Sequence, residues 1–255
     1  MKKLGMACVM ILFAATSAFA HFGMLIPNKD VVEPADKSVS LTLSFSHPFE
    51  GVGMDLVKPK VFSVFYNGKQ TDLLDTLSEA TVMNHKAWKS TYTVKRPGVY
   101  RFFMEPTPYW EPAEDVSIIH YTQTIVSAFG DEEGWSEPLG VKTEIVPLTR
   151  PFASRTGFVF TGRVLLNGKP VPNAEVEVEY YNAKNTITAP NDHHVTYVVH
   201  ADDSGVFTFA CPQPGWWGFA ALNEGDFTIK DPEGKDKPVE LGAVLWVQMT
   251  PWNTK

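Results

Sequence analysis

Hydrophobic and polar residues alternate along several short segments of the chain. In residues 39–45 the apolar side chains fall on every second position, which is the period of a strand with one buried face. Residues 174–180 alternate more strictly, and the pattern predicts that Glu175, Glu177 and Glu179 face solvent. Other segments are rich in Val, Ile, Phe, Tyr and Trp and predict more fully buried strands: residues 61–66, 99–104, 117–126, 195–200 and 241–249. No segment longer than about ten residues has a helical period, so the sequence predicts an all-β protein.

The two halves of the chain share an order of short motifs. Asn67-Gly68 and Asn167-Gly168 are two-residue hairpin signals. Each is followed downstream by the pattern Gly-Val-aromatic-x-Phe and then a proline. This repetition predicts two tandem immunoglobulin-like β-sandwich domains, residues 21–150 and 151–255, joined near a proline-bounded segment at 147–151. The second domain is similar to carboxypeptidase-regulatory-type sandwiches, which have no chemistry of their own.

The first 20 residues have the layout of a secretory signal peptide. Two lysines precede an apolar run over residues 4–13, and Ala18-Phe19-Ala20 matches an A-x-A cleavage site. Cleavage there removes 20 of the 255 residues and leaves a chain of 235 that begins with His21. The remaining cysteine, Cys211, then has no internal disulfide partner, and its apolar surroundings predict a buried thiol. These features predict a periplasmic protein.

The charge of the chain restricts its partners. The formal net charge at pH 7 is −7, and loss of the two signal-peptide lysines makes it −9. There is no basic stripe, so the sequence argues against nucleic acid as a partner, whereas an acidic surface favours cations. No apolar stretch after the signal segment approaches the length needed to cross a bilayer. The mature protein is therefore not expected to be embedded in a membrane.

Three histidines of the first half are candidate metal ligands. His21, as the mature N-terminus, carries a free α-amine and an imidazole that together can chelate a transition metal. His47 shares the inward parity of its apolar strand, and His120 lies in an apolar strand where an imidazole needs a hydrogen bond or a metal to offset its burial. We predict a metal site of His21, His47 and His120. The alternative is that the two strand histidines are structural and that the position of His21 is incidental.

A stiff acidic segment accompanies these histidines. Residues 104–115 contain three prolines and several carboxylates, of which Glu105, Glu111 and Glu114 are predicted to accept hydrogen bonds from the ligating imidazoles and fix their tautomers. The alternative is a surface loop with capping acids. The sequence lacks the G-x-S-x-G and H-E-x-x-H motifs and phosphate-binding glycine loops, and no enzymatic activity is predicted.

The other histidines are predicted to play no part in the site. His85 and the adjacent pair His193 and His194 lie in polar loop segments and are expected to be solvated, and His200 is interpreted as structural. We therefore expect the second sandwich to contribute no ligand.

Several motifs along the mature chain resemble those of one family: HFGMLIP (21–27), HPFE (47–50), RPGVY (96–100), PYWEPAED (108–115), IIHYT (118–122), GW (134–135), PLTRP (147–151) and GWWGF (215–219). They resemble the periplasmic accessory component of bacterial nickel and cobalt uptake systems, a family long catalogued as a domain of unknown function. The resemblance covers essentially the whole mature chain. It implies an extracytoplasmic protein that captures Ni²⁺ or Co²⁺ for an inner-membrane importer of the energy-coupling-factor or a similar type.

The residues themselves leave the metal open. Ni²⁺ accepts amine and imidazole nitrogens well, but Cu²⁺ binds the same donors more tightly in the general affinity order. Nickel is the predicted ion, with cobalt and copper as further candidates. Two other functions stay open: an N-terminal-histidine copper protein, as chaperone or oxidative enzyme, and a structural β-sandwich module without a metal.

Overall fold

The computed structural model describes residues 21–252, and the predicted signal peptide lies outside this range. Within it the chain is built almost entirely of strands, with two short 3₁₀ helices at Leu74–Thr76 and Asp192–His194 and no α-helix. The prediction of an all-β protein is confirmed. Over the same range, no helix is long and apolar enough to cross a membrane.

The strands of the first half are β1 (Phe22–Pro27), β2 (Val31–Val32), β3 (Ser38–His47), β4 (Val52–Met54), β5 (Val61–Tyr66), β6 (Lys69–Asp72), β7 (Ser78–Val82), β8 (His85–Thr93), β9 (Gly98–Glu105), β10 (Tyr109–Glu111), β11 (Val116–Ala128) and β12 (Thr143–Pro147). Those of the second half are β13 (Ser154–Arg155), β14 (Val159–Leu166), β15 (Lys169–Pro170), β16 (Glu175–Tyr180), β17 (Thr196–His200), β18 (Val206–Ala210), β19 (Gly215–Glu224), β20 (Ile229–Lys230), β21 (Asp236–Lys237) and β22 (Val239–Thr250).

The first sandwich forms because alternating strands bury one face each. The sheet β1-β3-β8-β7 packs against the strands β11-β9-β5-β6 of a larger sheet. The predicted alternation in β3 is observed, since Leu41 and Leu43 are buried in the core between the two sheets. From the opposite sheet Phe62, Phe102 and Ile118 enter the same core. β1 lies at the edge of its sheet, with Phe22 in register with Ser46 of β3.

The second sandwich is continuous with the first. Strands β12, β14, β15 and β18 form one sheet, which covers a core shared with β16, β19 and β22. β22 also pairs in parallel with β11, from Ser117 opposite Val239 to Thr124 opposite Trp246. An 11-stranded sheet therefore runs through both halves. β12 lies before residue 150 but pairs with β14, and the division into domains at that residue stays a prediction.

The prediction that three glutamates of β16 face solvent is wrong for two of them. Glu175 is exposed, but Glu177 and Glu179 are only 8% and 1% exposed. The alternation correctly places Glu177 and Glu179 on the face of β16 that points away from the core of the second sandwich. Other parts of the chain cover this face as well. Glu179 is in register with Gly218 and Trp246, and Phe22 of β1 packs on this same face against Trp246, with ring centroids 5.8 Å apart. The local pattern carries no information about this second covering layer.

Burial of Glu177 predicts a measurable dependence of stability on pH. Desolvation, followed by the charges of neighbouring carboxylates such as Glu240, raises the pKa of Glu177 to about 8. As the pH rises from about 4.5, the unfolded chain loses the Glu177 proton while the folded protein keeps it. The free energy of unfolding therefore falls between about pH 4.5 and about pH 8. We expect Glu177→Gln to raise the free energy of unfolding at pH 8 by roughly 1–3 kcal/mol and to have little effect at pH 4.5. Urea denaturation at the two pH values measures both.

The exposed Glu175 on the same strand provides the matched control. Glu175→Gln should leave the pH dependence of unfolding as it is in the parent protein. Identical pH profiles for Glu177→Gln and the parent would contradict the burial of this carboxyl group.

Candidate metal centre

The fold brings the three histidines predicted as ligands to one end of the first sandwich. Because Phe22 is in register with Ser46, the next position outward places His21 beside His47, and their ring centroids lie 4.6 Å apart. The ring of Phe45 lies 5.7 Å from that of His21 and 5.7 Å from that of His120. His21 and His120 thus both pack against the Phe45 ring, and His47 packs against His21.

The His21 side chain is largely buried. Its side chain is 10% exposed, stacks on Phe45, and places Nε2 3.0 Å from a carboxylate oxygen of Glu111. Desolvation is the largest cause that lowers the pKa of His21 to about 4, followed by the charges of His47 and His120, while Glu111 acts in the opposite direction. At neutral pH the imidazole is therefore uncharged, which is the form that binds metals.

His47 ends β3 and is buried, 9% exposed. The turn that follows it is anchored on the second half of the molecule. The backbone N–H of Phe49 donates a hydrogen bond of 3.2 Å to Glu179, and the backbone N–H of Asn182 donates one of 3.1 Å to the carbonyl of Pro48. The position of His47 therefore depends on both halves of the chain.

His120 is the most deeply buried of the three, with a side chain that is 0% exposed. Its Nδ1 accepts a hydrogen bond of 3.1 Å from the backbone N–H of Gly23. Its Nε2 lies 3.3 Å from Oε1 of Glu240 on β22. Both ring nitrogens are thus engaged, and His120 would have to give up one of these contacts in order to ligate a metal ion.

The predicted carboxylates separate into two groups. Glu111 contacts His21 directly and also accepts a hydrogen bond of 2.9 Å from the backbone N–H of Ala113. Glu114 lies in the same electrostatic environment, since desolvation and then Glu240 and Glu111 raise its pKa. Glu105 is elsewhere: burial raises its pKa, its charged neighbour is Lys60, and no described contact joins it to the three histidines.

Comparison with known proteins identifies the family. The model of the family described as "Domain of unknown function (DUF4198)" matches residues 18–225. The chain belongs to this family. A search of curated proteins found no match.

Solved structures also match most of the length of this DUF4198 protein. The D0-D1 domain of intimin is 14% identical, with 91% of this chain and 100% of that chain covered and a TM-score of 0.24. The titin Ig tandem domains A164-A165 are 10% identical, with coverages of 91% and 100% and a TM-score of 0.20. Alpha-2-macroglobulin from Escherichia coli, over domains MG0-NIE-MG1, is 9% identical, with coverages of 91% and 72% and a TM-score of 0.25.

The remaining histidines of this DUF4198 protein lie on β8, on the second 3₁₀ helix and on β17. His85 contacts Asp55 at 3.2 Å and its side chain is 44% exposed. His193, His194 and His200 are exposed, the first two in a 3₁₀ helix. The prediction of exposed loop residues is confirmed for His193 and His194, whereas His85 is the first residue of β8, is partly exposed and contacts Asp55.

Donor types suited to a metal ion are present, but they are not arranged as a complete site. Within residues 21–252, no group of three His, Cys, Asp or Glu side chains is positioned to hold a metal ion. What the fold supplies is a pair of adjacent imidazoles, His21 and His47, with a carboxylate at the first. A further donor, the α-amine of His21, arises only when the preceding peptide bond is cleaved.

Glu240 contacts the cluster although it was not predicted from the sequence to do so. It is 120 residues away from its partner His120 and in the other half of the chain. One signal could have found it: Glu240 is the single charged residue in the apolar segment 239–250. A charge in a buried strand needs a partner, which is the argument already applied to His120.

Proposed function

We propose that the mature protein binds Ni²⁺, with Co²⁺ as the alternative cargo, in the periplasm and delivers it to an inner-membrane importer. The donors would be the α-amine and imidazole of His21 together with the imidazole of His47. The family resemblance supports the transport role, and the geometry of the histidine cluster supports the binding role.

The observation that carries this proposal is the contact between the imidazoles of His21 and His47. The two rings lie 4.6 Å apart, and burial lowers the pKa of His21 to about 4, so that its imidazole is uncharged at neutral pH. Two adjacent imidazoles can donate nitrogen lone pairs to one transition metal ion. Nitrogen donors of this kind suit Ni²⁺.

Glu111 determines which nitrogen of His21 is available. Its carboxylate lies 3.0 Å from Nε2, so it accepts the proton of that nitrogen and favours the tautomer in which Nδ1 carries a free lone pair. Nδ1 is the ring nitrogen nearer the backbone, and it can therefore close a chelate with the α-amine of the same residue. The chain would present this bidentate donor only after signal-peptide cleavage.

The proposal is tested on protein secreted through its own signal peptide and purified without a tag. Mass spectrometry first establishes that the chain begins at His21. Titration calorimetry with Ni²⁺, Co²⁺ and Cu²⁺ should then give saturable binding of one Ni²⁺ per chain, and His21→Ala should abolish it. His194→Ala, at an exposed histidine of the second half, serves as the control and should bind like the parent.

Other outcomes of this titration assign the remaining candidates. Absence of saturable binding of any of the three ions would overturn the proposal in favour of a structural module. Stoichiometric copper binding without nickel or cobalt binding would instead identify an N-terminal-histidine copper protein.

A further inference from the structure

We infer that Glu240 is a positioning residue for the His21–His47 pair and acts on it through His120. The last strand of the second half would thus control the N-terminal site, although it supplies no donor to it. This inference rests on the proposed function where it concerns metal affinity, but its structural part can be tested without metal.

The first step is that β1 is fastened to the opposite sheet at one residue, Gly23. Within residues 21–252, β1 is an edge strand, so one side of its backbone has no neighbouring strand there. On β1, the N–H of Gly23 donates to Nδ1 of His120 at 3.1 Å, and the carbonyl of Gly23 accepts a hydrogen bond of 2.9 Å from Nε1 of Trp246. Both backbone groups of Gly23 are therefore bound by side chains of β11 and β22. We call the contacts among Gly23, His120, Trp246 and Glu240 the Gly23 latch.

The second step concerns the proton of His120. Because Nδ1 accepts the Gly23 hydrogen bond, the neutral ring carries its proton on Nε2. That N–H is buried, and Glu240 is its acceptor at 3.3 Å. In the other tautomer Nδ1–H would point at the N–H of Gly23, donor against donor, and the hydrogen bond would be lost. Glu240 therefore selects the tautomer on which the latch depends.

The third step is steric. A Cβ atom on Gly242 would lie 2.3 Å from Cδ2 and 2.6 Å from Nε2 of His120, and one on Gly23 would lie 2.9 Å from Cβ of His120. The imidazole thus lies directly against Gly242, and the Cβ of His120 lies against Gly23, so that a larger side chain at either glycine would force a shift. This close fit holds the imidazole between β1 and β22.

These contacts bear on the metal site through the chain terminus. After processing, His21 is the first residue and Gly23 is the third. Free termini fray unless they are tied down, and on the side away from β3 the latch supplies the described backbone hydrogen bonds nearest to His21. Without it, His21 would lose its fixed position beside His47 and Glu111.

The experiment compares Glu240→Ala with Glu240→Gln in the processed full-length protein. Both variants remove the same carboxylate, so both remove its electrostatic effect on Glu177, but only glutamine keeps an oxygen that can accept the Nε2 proton. Glu224→Ala is the matched control, since Glu224 is exposed and lies opposite Glu240 in register. Hydrogen exchange at Gly23 and the ¹⁵N spectrum of the His120 imidazole are recorded without metal, and Ni²⁺ affinity is measured by calorimetry.

In Glu240→Ala we expect Gly23 exchange to accelerate about tenfold, the scale of one lost hydrogen bond, and the Nε2–H tautomer of His120 to be lost. Ni²⁺ affinity should fall about 10- to 100-fold, as when a residue that orients a metal ligand is removed. Glu240→Gln and Glu224→Ala should stay near the parent in all three measurements. If Glu240→Ala does not fold, Glu240→Asp, which withdraws the acceptor by one methylene, replaces it with the same expectation.

If hydrogen exchange at Gly23 and the tautomer of His120 are unchanged in Glu240→Ala, the latch is overturned, independently of the Ni²⁺ affinity. Faster exchange with unchanged Ni²⁺ affinity would overturn the positioning role. If Glu240→Gln is as impaired as Glu240→Ala, charge and not hydrogen-bond acceptance is responsible, and the tautomer mechanism is wrong. If the parent protein binds no Ni²⁺ while Glu240→Ala still loosens β1, the proposed function fails and the latch stands.

Discussion

A chain that keeps a single residue before His21 is expected to bind Ni²⁺ at least about 100-fold more weakly than the processed chain, beyond the loss seen for residues that merely orient a ligand. The extra residue turns the α-amine into an amide, which is no longer a basic donor, while every side chain stays in place. The chelate between the amine and Nδ1 of His21 then cannot form. Calorimetry of the two proteins under identical conditions measures the difference.

The control for this comparison is the same additional residue placed after Lys255, which should leave Ni²⁺ affinity unchanged. Processed His21→Ala separates the two donors of the residue, because it keeps an N-terminal amine and loses the imidazole. Equal affinity of the extended and processed chains would show that the amine is not a ligand and would reduce the proposed site to side chains alone.

The N-terminal arrangement could be predicted from the sequence because its signals are local. The alternation in residues 39–45 places His47 on the inward face of its strand, and the structure confirms the burial of that face. Burial of Cys211 is confirmed for the same reason, since an apolar segment surrounds it. Where one face of a strand is buried against one partner, a period of two is sufficient information.

The contacts between halves could not be predicted in this way, because they join residues far apart in the chain. Glu177 and Glu179 lie on a face that the pattern assigns to solvent, yet β1 and the turn after β3 cover it. Glu240 meets His120 only because β22 pairs in parallel with β11. Periodicity states which residues share a face of a strand, and not which second layer will lie over that face.

Replacing His47 with alanine is expected to remove most of the stabilisation that Ni²⁺ gives the protein. Binding to the native state stabilises by RT ln(1 + [L]/Kd), about 2.7 kcal/mol at 100 times Kd. If loss of the His47 nitrogen weakens binding about 100-fold, the same Ni²⁺ concentration gives only about 0.4 kcal/mol. For a protein of this size, the nickel-induced rise in melting temperature should fall from roughly 5–10 °C to about 1 °C. Thermal melts with and without Ni²⁺ measure this rise.

The nickel-induced rise in melting temperature distinguishes a metal ligand from a residue that only stabilises the core. His47 is buried, so alanine there should lower the melting temperature by itself, the usual consequence of a core substitution of about 1–3 kcal/mol. That loss is present with and without metal and cancels in the difference between the two melts. His85→Ala is the matched control, since His85 contacts Asp55 at the surface and its removal should leave the full rise. A His47→Ala protein that melts lower but keeps the full nickel-induced rise would show that His47 is structural, because no nitrogen donor to the metal would have been lost.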